Sequence, residues 1–361
     1  MTNSMTTQPE ARAVIVGVDT HKHVHVAVVI DTRGIRLGGQ SFVADAGGYR
    51  ALLTWADTHG RIEAFGIEGT GSYGAGLARA VRRAGHRVAE VNRSDRRLRR
   101  VAGKSDTIDA EAAARSVLAG QSTAIPKTAD GAVEMMRLLK IARDTAVKAR
   151  TTAMITLKQI VVNMSPALRE ILQDLTDQAL LTRCAGLRSG PLDTPTASAK
   201  HTLRALARRW IALADEITTH DRHLARLTTE TSPTLRAGFG VGAGTAAEML
   251  ILFGDNPDRI HSEAAFAKLC GACPIPASSG RTTGRHRLSR GGHRQANAAL
   301  YRCVIVRMRF HHPTVAYVAR RTADGRTKRE IIRCLKRFLA REIYQRVMTD
   351  FRARQKLTQA A

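Results

Sequence analysis

The chain has 361 residues, which is enough for two or three domains with cores of their own. It contains 43% apolar residues but no apolar run of 18, so we expect neither a transmembrane helix nor a membrane partner. Fifty-seven basic residues against 31 acidic ones leave a net charge of +26. A charge of this size argues for a polyanionic partner.

The charge is unevenly distributed. Residues 281–341 hold 17 Lys/Arg and 2 Asp/Glu, and residues 79–104 hold 10 basic and 2 acidic residues. The charged segments still show apolar residues at regular spacing, which favours nucleic-acid binding by a folded surface. The alternative is a surface that is charged only for solubility, or a ribosomal-type surface. A membrane-surface role is disfavoured because these segments lack an apolar face rich in Trp and Phe.

The cysteines do not form an obvious disulfide framework. There are five of them, and the first residues of the chain lack the apolar core of a secretory signal. An odd count without such a signal fits a reducing cytoplasm. We therefore expect a cytoplasmic, nucleoid-associated protein.

The first 128 residues alternate between strand-like and helix-like segments, which indicates an α/β domain over residues 1–128. The predicted strands are Ala13–Val18, His25–Ile30, Arg61–Glu68 and His86–Val91, and the predicted helices are Gly76–Ala84 and Asp106–Leu118.

Residues 129–231 are predicted to be helical. Apolar residues recur at helical spacing, as at Met135, Leu138 and Leu139. Two long helical stretches, roughly 130–162 and 197–229, are interrupted near 186–195. This pattern indicates an antiparallel helical hairpin or coiled coil used for spacing or self-association. An ordinary helical subdomain is the alternative.

Residues 232–361 are basic and mainly helical, with a final amphipathic helix over Ile331–Tyr344. Phe239-Gly240-Val241-Gly242 lies between helical stretches, as in a helix-hairpin-helix-like element. Such a turn exposes backbone N–H groups at a helix start, where they can hold a phosphate. Gly240 and Gly242 are therefore candidate nucleic-acid contacts, although a plain turn is the alternative.

Four acidic residues are the candidate catalytic and metal-binding residues. Asp19 follows the first strand, Glu68 ends a later one, and Asp106 and Asp109 share one helix face. Acids brought together in this way repel one another unless a divalent cation neutralises them, and Mg²⁺ or Mn²⁺ suits oxygen ligands. In the alternative, each is a turn or cap residue, with Asp106 capping its helix.

The order of these acids discriminates among nucleases. RNase H-like folds place an Asp on the first strand, an acid on a later strand and an acid on a closing helix. Editing exonucleases usually carry Asp-x-Glu on the first strand, and common transposases use the order Asp, Asp, Glu. The order here, Asp, Glu, Asp-x-x-Asp, resembles that of RuvC resolvases.

Five motifs in order resemble those of the DEDD insertion-sequence transposases of the IS-one-ten type, a family that includes pilin-gene invertases. They cover nearly the whole chain: residues 17–22 (GVDTHK), 68–74 (EGTGSYG), 104–110 (KSDTIDA), 271–280 (GACPIPASSG) and 286–297 (HRLSRGGHRQAN).

The resemblance implies a RuvC-like domain that binds Mg²⁺ through the four acids, and a separate transposase domain with a serine nucleophile. Ser279 is chosen over Ser278 because the family's serine directly precedes a glycine. The partners implied are donor and target double-stranded DNA, a structured guide RNA, and further copies of the chain in a dimer or tetramer. Candidate nucleic-acid contacts, besides the two glycines, are Lys22, Lys104, Arg281, Arg285, Arg287, Arg290 and Arg294.

Departures from the family pattern are small. Gly69 stands where Ala or Ser is common, Arg93 where proline often stands, and Ser289 and His293 also differ. They put local RNA or DNA contacts in doubt and remove no proposed catalytic group.

A zinc site is disfavoured. Cys270, Cys273, His286 and His293 approximate a zinc-finger spacing. The last interval is long, however, and the set overlaps the serine motif.

The expected function is therefore site-specific DNA transposition or recombination. One alternative is a RuvC-like junction nuclease, which would need the four acids but not Ser279. The other is a nucleic-acid-binding protein without catalysis, which the presence of all four acids disfavours.

Overall fold

The computed structural model describes residues 12–92, 105–278, 280, 286–289 and 291–360. The chain divides into two compact units, Met1–Thr128 and Ala129–Ala361. The first is a mixed α/β unit and the second is mostly helical, as the sequence predicts. Among the described helices, none is long and apolar enough to span a bilayer.

A five-stranded sheet forms the first unit, in the order β3-β2-β1-β4-β5. Strand β1 pairs antiparallel with β2 and parallel with β4, which is consistent with the RNase H-like arrangement expected. The strands are β1 Ala13–Thr20, β2 Val24–Asp31, β3 Arg36–Val43, β4 Arg61–Glu68 and β5 Val88–Val91, and the helices are α1 Ala46–Asp57, α2 Ala75–Arg83 and α3 Asp106–Leu118.

Strand β1 is central because both of its faces are apolar. Val14, Val16 and Val18 enter one hydrophobic core with α1 and α2, while Ile15 enters a second core on the opposite face. The alternation follows from the two-residue period of a strand. A sheet covered on both faces by helices explains why β1 reads as a continuous apolar run.

Helix α3 lies unusually close to the sheet. A Cβ atom at Gly17 would overlap the Ala110 carbonyl oxygen and the Ala114 backbone nitrogen. A Cβ atom at Gly66, on the neighbouring strand, would crowd the Ala113 carbonyl oxygen. Glycines on the strands and alanines on the helix therefore set the distance between α3 and β1.

Two long antiparallel helices, α4 Ala132–Val162 and α7 Pro195–Thr231, form a hairpin in the second unit. The Arg143 guanidinium pairs with Asp221, and the Arg150 guanidinium lies 5.2 Å from the centre of the Trp210 ring. The segment between them holds two short helices, α5 Pro166–Leu172 and α6 Asp177–Ala185, which the sequence patterns do not separate.

Helix α9 (Ala243–Phe253) is the centre of the remaining core. Phe253 stacks on Phe266 with ring centres 4.4 Å apart. The surrounding helices are α8 Pro233–Arg236, α10 Glu263–Leu269, α11 Arg294–Phe310, α12 His312–Ala323 and α13 Lys328–Ala360, with a short 3-10 helix at Pro257–Arg259.

Two features of this region differ from the sequence-based expectation. The last helix runs over Lys328–Ala360 instead of Ile331–Tyr344. An antiparallel pair of short strands, β6 Pro274–Pro276 and β7 His286–Leu288, interrupts the helices. The pair was missed because both strands have only three residues, too few to show an alternating pattern, and two of the three residues of β6 are prolines.

Candidate functional site

The four predicted acids line one cleft of about 510 Å³ in the first unit. Asp19 lies near the end of β1, Glu68 ends β4, and Asp106 and Asp109 occupy the first turn of α3. Because β1 and β4 are parallel neighbours, their carboxyl ends meet at one edge of the sheet. The close approach of α3 to Gly17 brings its first turn to the same edge.

Asp106 was considered either as a metal-binding acid or as the cap of its helix, and the N-terminus of α3 distinguishes between these roles. The Ser105 hydroxyl accepts a hydrogen bond from the Ile108 backbone N–H, so serine caps the helix. The Asp106 side chain is half exposed at the cleft, and Asp109 is buried.

Glycine and hydroxyl groups fix the turn that follows Glu68. The Thr20 hydroxyl donates to the Glu68 carbonyl oxygen at 2.8 Å, which ties the end of β1 to the end of β4. Gly69 has a φ of +68°, in the left-handed region that glycine tolerates best. Its carbonyl accepts hydrogen bonds from the Ser72 N–H and hydroxyl. Glycine at position 69 therefore suits the local backbone.

Burial makes the charged form of Asp19 costly. Only 8% of the residue is exposed, and this burial raises the pKa of its carboxyl group. The nearby carboxylates of Asp106 and Asp109 raise the pKa further, while His21 lowers it. A cation in the cleft would offset both the cost of burying the Asp19 charge and the repulsion among the carboxylates. The residues present therefore fit a bound divalent ion.

His21 also lines the cleft. From the sequence it was recognised only as part of the first motif, residues 17–22, without a role of its own. Its Nε2 atom lies 3.3 Å from Asp19 Oδ2 and 3.3 Å from Asp106 Oδ1. Within the described ranges, these three residues are the one group whose ligand atoms have metal-binding proximity, all within 4.8 Å. Glu90 of β5 also lines the cleft and was missed.

The zinc alternative gains no support. Cys270 is fully buried, and burial raises the pKa of its thiol to about 12, which opposes the thiolate that zinc requires. Of the residues that the structure describes, Cys270, Cys273, His286 and His293 do not form a cluster of metal-ligand geometry.

A second cleft, of about 860 Å³, lies in the basic unit between the β6–β7 pair and helices α12 and α13. The five arginines that line it are Arg287, Arg321, Arg326, Arg333 and Arg337. Three of them form salt bridges: Arg321 with Asp324, Arg326 with Glu330, and Arg337 with Glu263.

Hydrogen bonds hold the base of the β6–β7 pair in place. The Asn297 amide donates to the carbonyl oxygens of Cys270 and Gly271 at 2.8 and 3.1 Å. The buried Lys336 ammonium donates to the Asn297 side-chain oxygen at 2.8 Å. Gly292 packs so closely on Gly271 that a Cβ atom there would overlap its backbone nitrogen. The segment that carries the serine motif therefore starts and ends on a fixed base.

The other residues predicted to contact nucleic acid lie at different positions in the chain. Lys22 is exposed on the β1–β2 turn, and Arg294 is exposed at the start of α11. Gly240 has a φ of +73°, and Gly242 is the N-cap of α9. Outside the described residues lie Lys104, Ser279, Arg281, Arg285 and Arg290.

Two family models match the chain. A DEDD transposase model of the IS110 type matches residues 16–166, and a model described as the transposase IS116/IS110/IS902 family matches residues 233–319. Together they cover more than half of the 361 residues. A search of curated proteins finds no match.

Proposed function

Because the chain belongs to the IS110-type family of DEDD transposases, we propose that it cuts and rejoins DNA at the acidic cleft, with Ser279 as nucleophile. The convergence of Asp19, Glu68, Asp106 and Asp109 in one cleft is the observation that carries this proposal. The family membership supports a DNA-cleaving and rejoining enzyme in general. The metal, the serine and the RNA guide are the specific parts of the proposal.

The four acids would hold Mg²⁺ or Mn²⁺. When bound, such ions activate an attacking oxygen and stabilise a leaving oxygen on a phosphodiester. The protein contributes an edge of the sheet and a helix turn whose positions are set by backbone packing. Buried Asp19 and Asp109 supply the most desolvated carboxylates, and half-exposed Asp106 faces the solvent side, where a substrate would enter.

Ser279 would supply the covalent step. Attack of its hydroxyl on the scissile phosphate forms a serine–phosphate bond, and the displaced DNA hydroxyl leaves. The link conserves the phosphodiester energy, so a DNA hydroxyl can later displace the serine without ATP. A serine hydroxyl needs activation. The sequence offers no His/Asp partner at a diagnostic spacing to provide it.

Trapping a protein–DNA adduct tests this step. On a cleavage-competent DNA, the wild-type chain should form a covalent adduct and S279A should form none, while retaining DNA binding. The matched control is S278A, which should still form the adduct. Cleavage by S279A into free ends would instead identify a hydrolytic junction nuclease. Full recombination by S279A would refute the serine assignment.

The basic unit would hold the nucleic acids. Its arginine-lined cleft, with Arg287 and Arg333, suits a phosphate backbone, and the glycine turn at 240–242 offers backbone N–H groups at the start of α9. DNA binding follows from the family. A structured guide RNA is proposed from the resemblance, and sequencing the RNA that copurifies tests it. A single enriched structured RNA supports guidance, whereas bulk cellular RNA argues against it.

Assembly into dimers or tetramers would use the helical hairpin as a coiled coil. The outer face of α4 exposes Leu138, Ile141, Ile155 and Val162. Ile141, Ile155 and Val162 are separated by fourteen and seven residues, which matches the seven-residue repeat of a coiled-coil seam. Sedimentation of I141E/I155E against the wild type tests this: a shift to monomer supports the seam, and an unchanged oligomer refutes it.

A further inference from the structure

We propose that His21 is a nitrogen ligand of the divalent ion in the acidic cleft, together with Asp19 and Asp106, and that it biases the site toward Mn²⁺ over Mg²⁺. The inference rests on the proposed function because it assumes that the four acids hold a divalent ion. It adds a residue outside the four-acid set and predicts which metals the site prefers.

The geometry around the ring is the first argument. His21 Nε2 lies 3.3 Å from one oxygen of Asp19 and 3.3 Å from one oxygen of Asp106. Ligands that share an ion at bond lengths of about 2.0–2.2 Å lie roughly 3.0–3.5 Å apart. Two of the three ligand separations therefore already have the length expected around one ion.

Hydrogen bonding alone explains this position less well. A single ring nitrogen carries at most one hydrogen, so contact with both carboxylates would have to be a bifurcated hydrogen bond, which is weaker to each acceptor. A charge-assisted N–H···O bond is also shorter, at about 2.7–2.9 Å. An ion between the three atoms would use the nitrogen lone pair and both carboxylates together.

The backbone supports the ring at this position. His21 begins the tight β1–β2 turn, where its N–H donates to the Val24 carbonyl oxygen, and the Ala44 N–H donates to the His23 carbonyl oxygen. The turn is thus tied to both β2 and the residue after β3. About half of the His21 side chain is exposed, so an ion and its water molecules could reach it.

The chemical consequence is a change in metal preference. Imidazole is a good ligand for transition metals, whereas Mg²⁺ prefers oxygen ligands and keeps its water. A site with only carboxylates would discriminate weakly between Mg²⁺ and Mn²⁺. Adding one imidazole should strengthen Mn²⁺ binding without a matching gain for Mg²⁺.

Electron spin-echo envelope modulation of Mn²⁺ bound to the full chain tests the ligand directly, because it detects ¹⁴N coupled to the ion. The wild type and H23Q should show imidazole ¹⁴N coupling, and H21Q should lose it. His23 is the matched control, since it lies on the same turn and is exposed. The preference for Mn²⁺ over Mg²⁺, measured by competitive titration calorimetry, should fall about tenfold in H21Q.

A D19N variant separates the two levels of the proposal. If D19N abolishes Mn²⁺ binding but the wild type shows no ¹⁴N coupling, or H21Q keeps it, His21 is not a ligand and the four-acid site stands. If wild type and D19N bind Mn²⁺ equally, the metal site of the proposed function fails and the inference fails with it. Circular dichroism of each variant confirms folding.

Discussion

The acidic cleft of the first unit is built from regular secondary structure, whereas the basic cleft of the second unit is lined by long side chains on helices and a short strand pair. In the acidic cleft, positions follow from strand ends and a helix packed on Gly17. In the basic cleft, arginines such as Arg321 and Arg337 are held by pairing with nearby carboxylates.

The contrast suggests a division of work. Reacting atoms must be held within a fraction of an ångström, which packed backbone achieves. Phosphate binding depends mainly on the number of positive charges, which the arginines supply. We therefore expect conservative substitutions to be severe in the first cleft and graded in the second.

The largest expected effect is in D19N. Loss of this carboxylate should lower DNA cleavage by at least about a thousandfold, equivalent to about 4 kcal/mol. The metal-free protein should become more stable near pH 7, because burial and like charges raise the pKa of Asp19, and its ionisation therefore costs stability as pH rises. Cleavage assays and urea unfolding in chelator measure the two effects.

The matched control is D57N, since Asp57 is exposed at the end of α1. It should leave cleavage and stability unchanged. Cleavage by D19N at the wild-type rate would mean that the fixed cleft does not perform the chemistry.

Next in size is G17A. The new methyl group would overlap the backbone of Ala110 and Ala114, so helix α3 must move or the unit must lose about 1–3 kcal/mol of unfolding free energy. Cleavage should fall even at temperatures where the protein remains folded. Urea unfolding and cleavage rates check this. The comparison variant is G71A, because a Cβ atom there meets no neighbour.

A graded effect is expected in the basic cleft. R333Q should weaken binding to all nucleic acids similarly and reduce the slope of log affinity against log salt by about one. Fluorescence anisotropy over a salt series measures it, with R226Q on the exposed hairpin as control. A sequence-specific loss with an unchanged salt slope would show that Arg333 reads bases instead of phosphates.

The smallest effect concerns His25, which is fully buried against Tyr49 and forms no ring-nitrogen hydrogen bond with any residue that the structure describes. Burial lowers the pKa of His25, so the unfolded chain takes up the proton first. The unfolding free energy should fall as pH drops below about 6.5, by at most about 1.4 kcal/mol per pH unit. Thermal melts of wild type and H25F between pH 5 and 8 test this, and H25F should lose that part of the dependence.

The elements that position the acids were largely predictable from sequence. Strand β4 and helix α3 have the predicted bounds, because a buried strand shows an apolar run and Ser105 gives the helix a clear start. Strand β3 was not predicted, since RLGGQSFV is mostly exposed and holds two glycines. Helix α1 was missed as well, because glycines occupy its first turn.

The side chains that complete the site were harder to predict. All four acids lie at one cleft, as their order suggests. His21 and Glu90 were missed because their proximity arises from the β1–β2 turn and the pairing of β5 beside β4, neither of which leaves a residue pattern. The charge of the basic cleft was predictable as a total, but the pairing of Arg337 with Glu263 depends on how α13 packs on α10.

The contact between Gly17 and helix α3 also bears on how such a chain can evolve. A larger residue cannot replace Gly17 unless helix α3 moves, because its Cβ atom would overlap the Ala110 carbonyl oxygen and the Ala114 backbone nitrogen. Where helix α3 moves to accommodate such a residue, Asp109 shifts relative to Asp19 while the protein stays folded. Inactive copies that are still abundantly expressed should therefore be enriched in substitutions at this strand–helix contact.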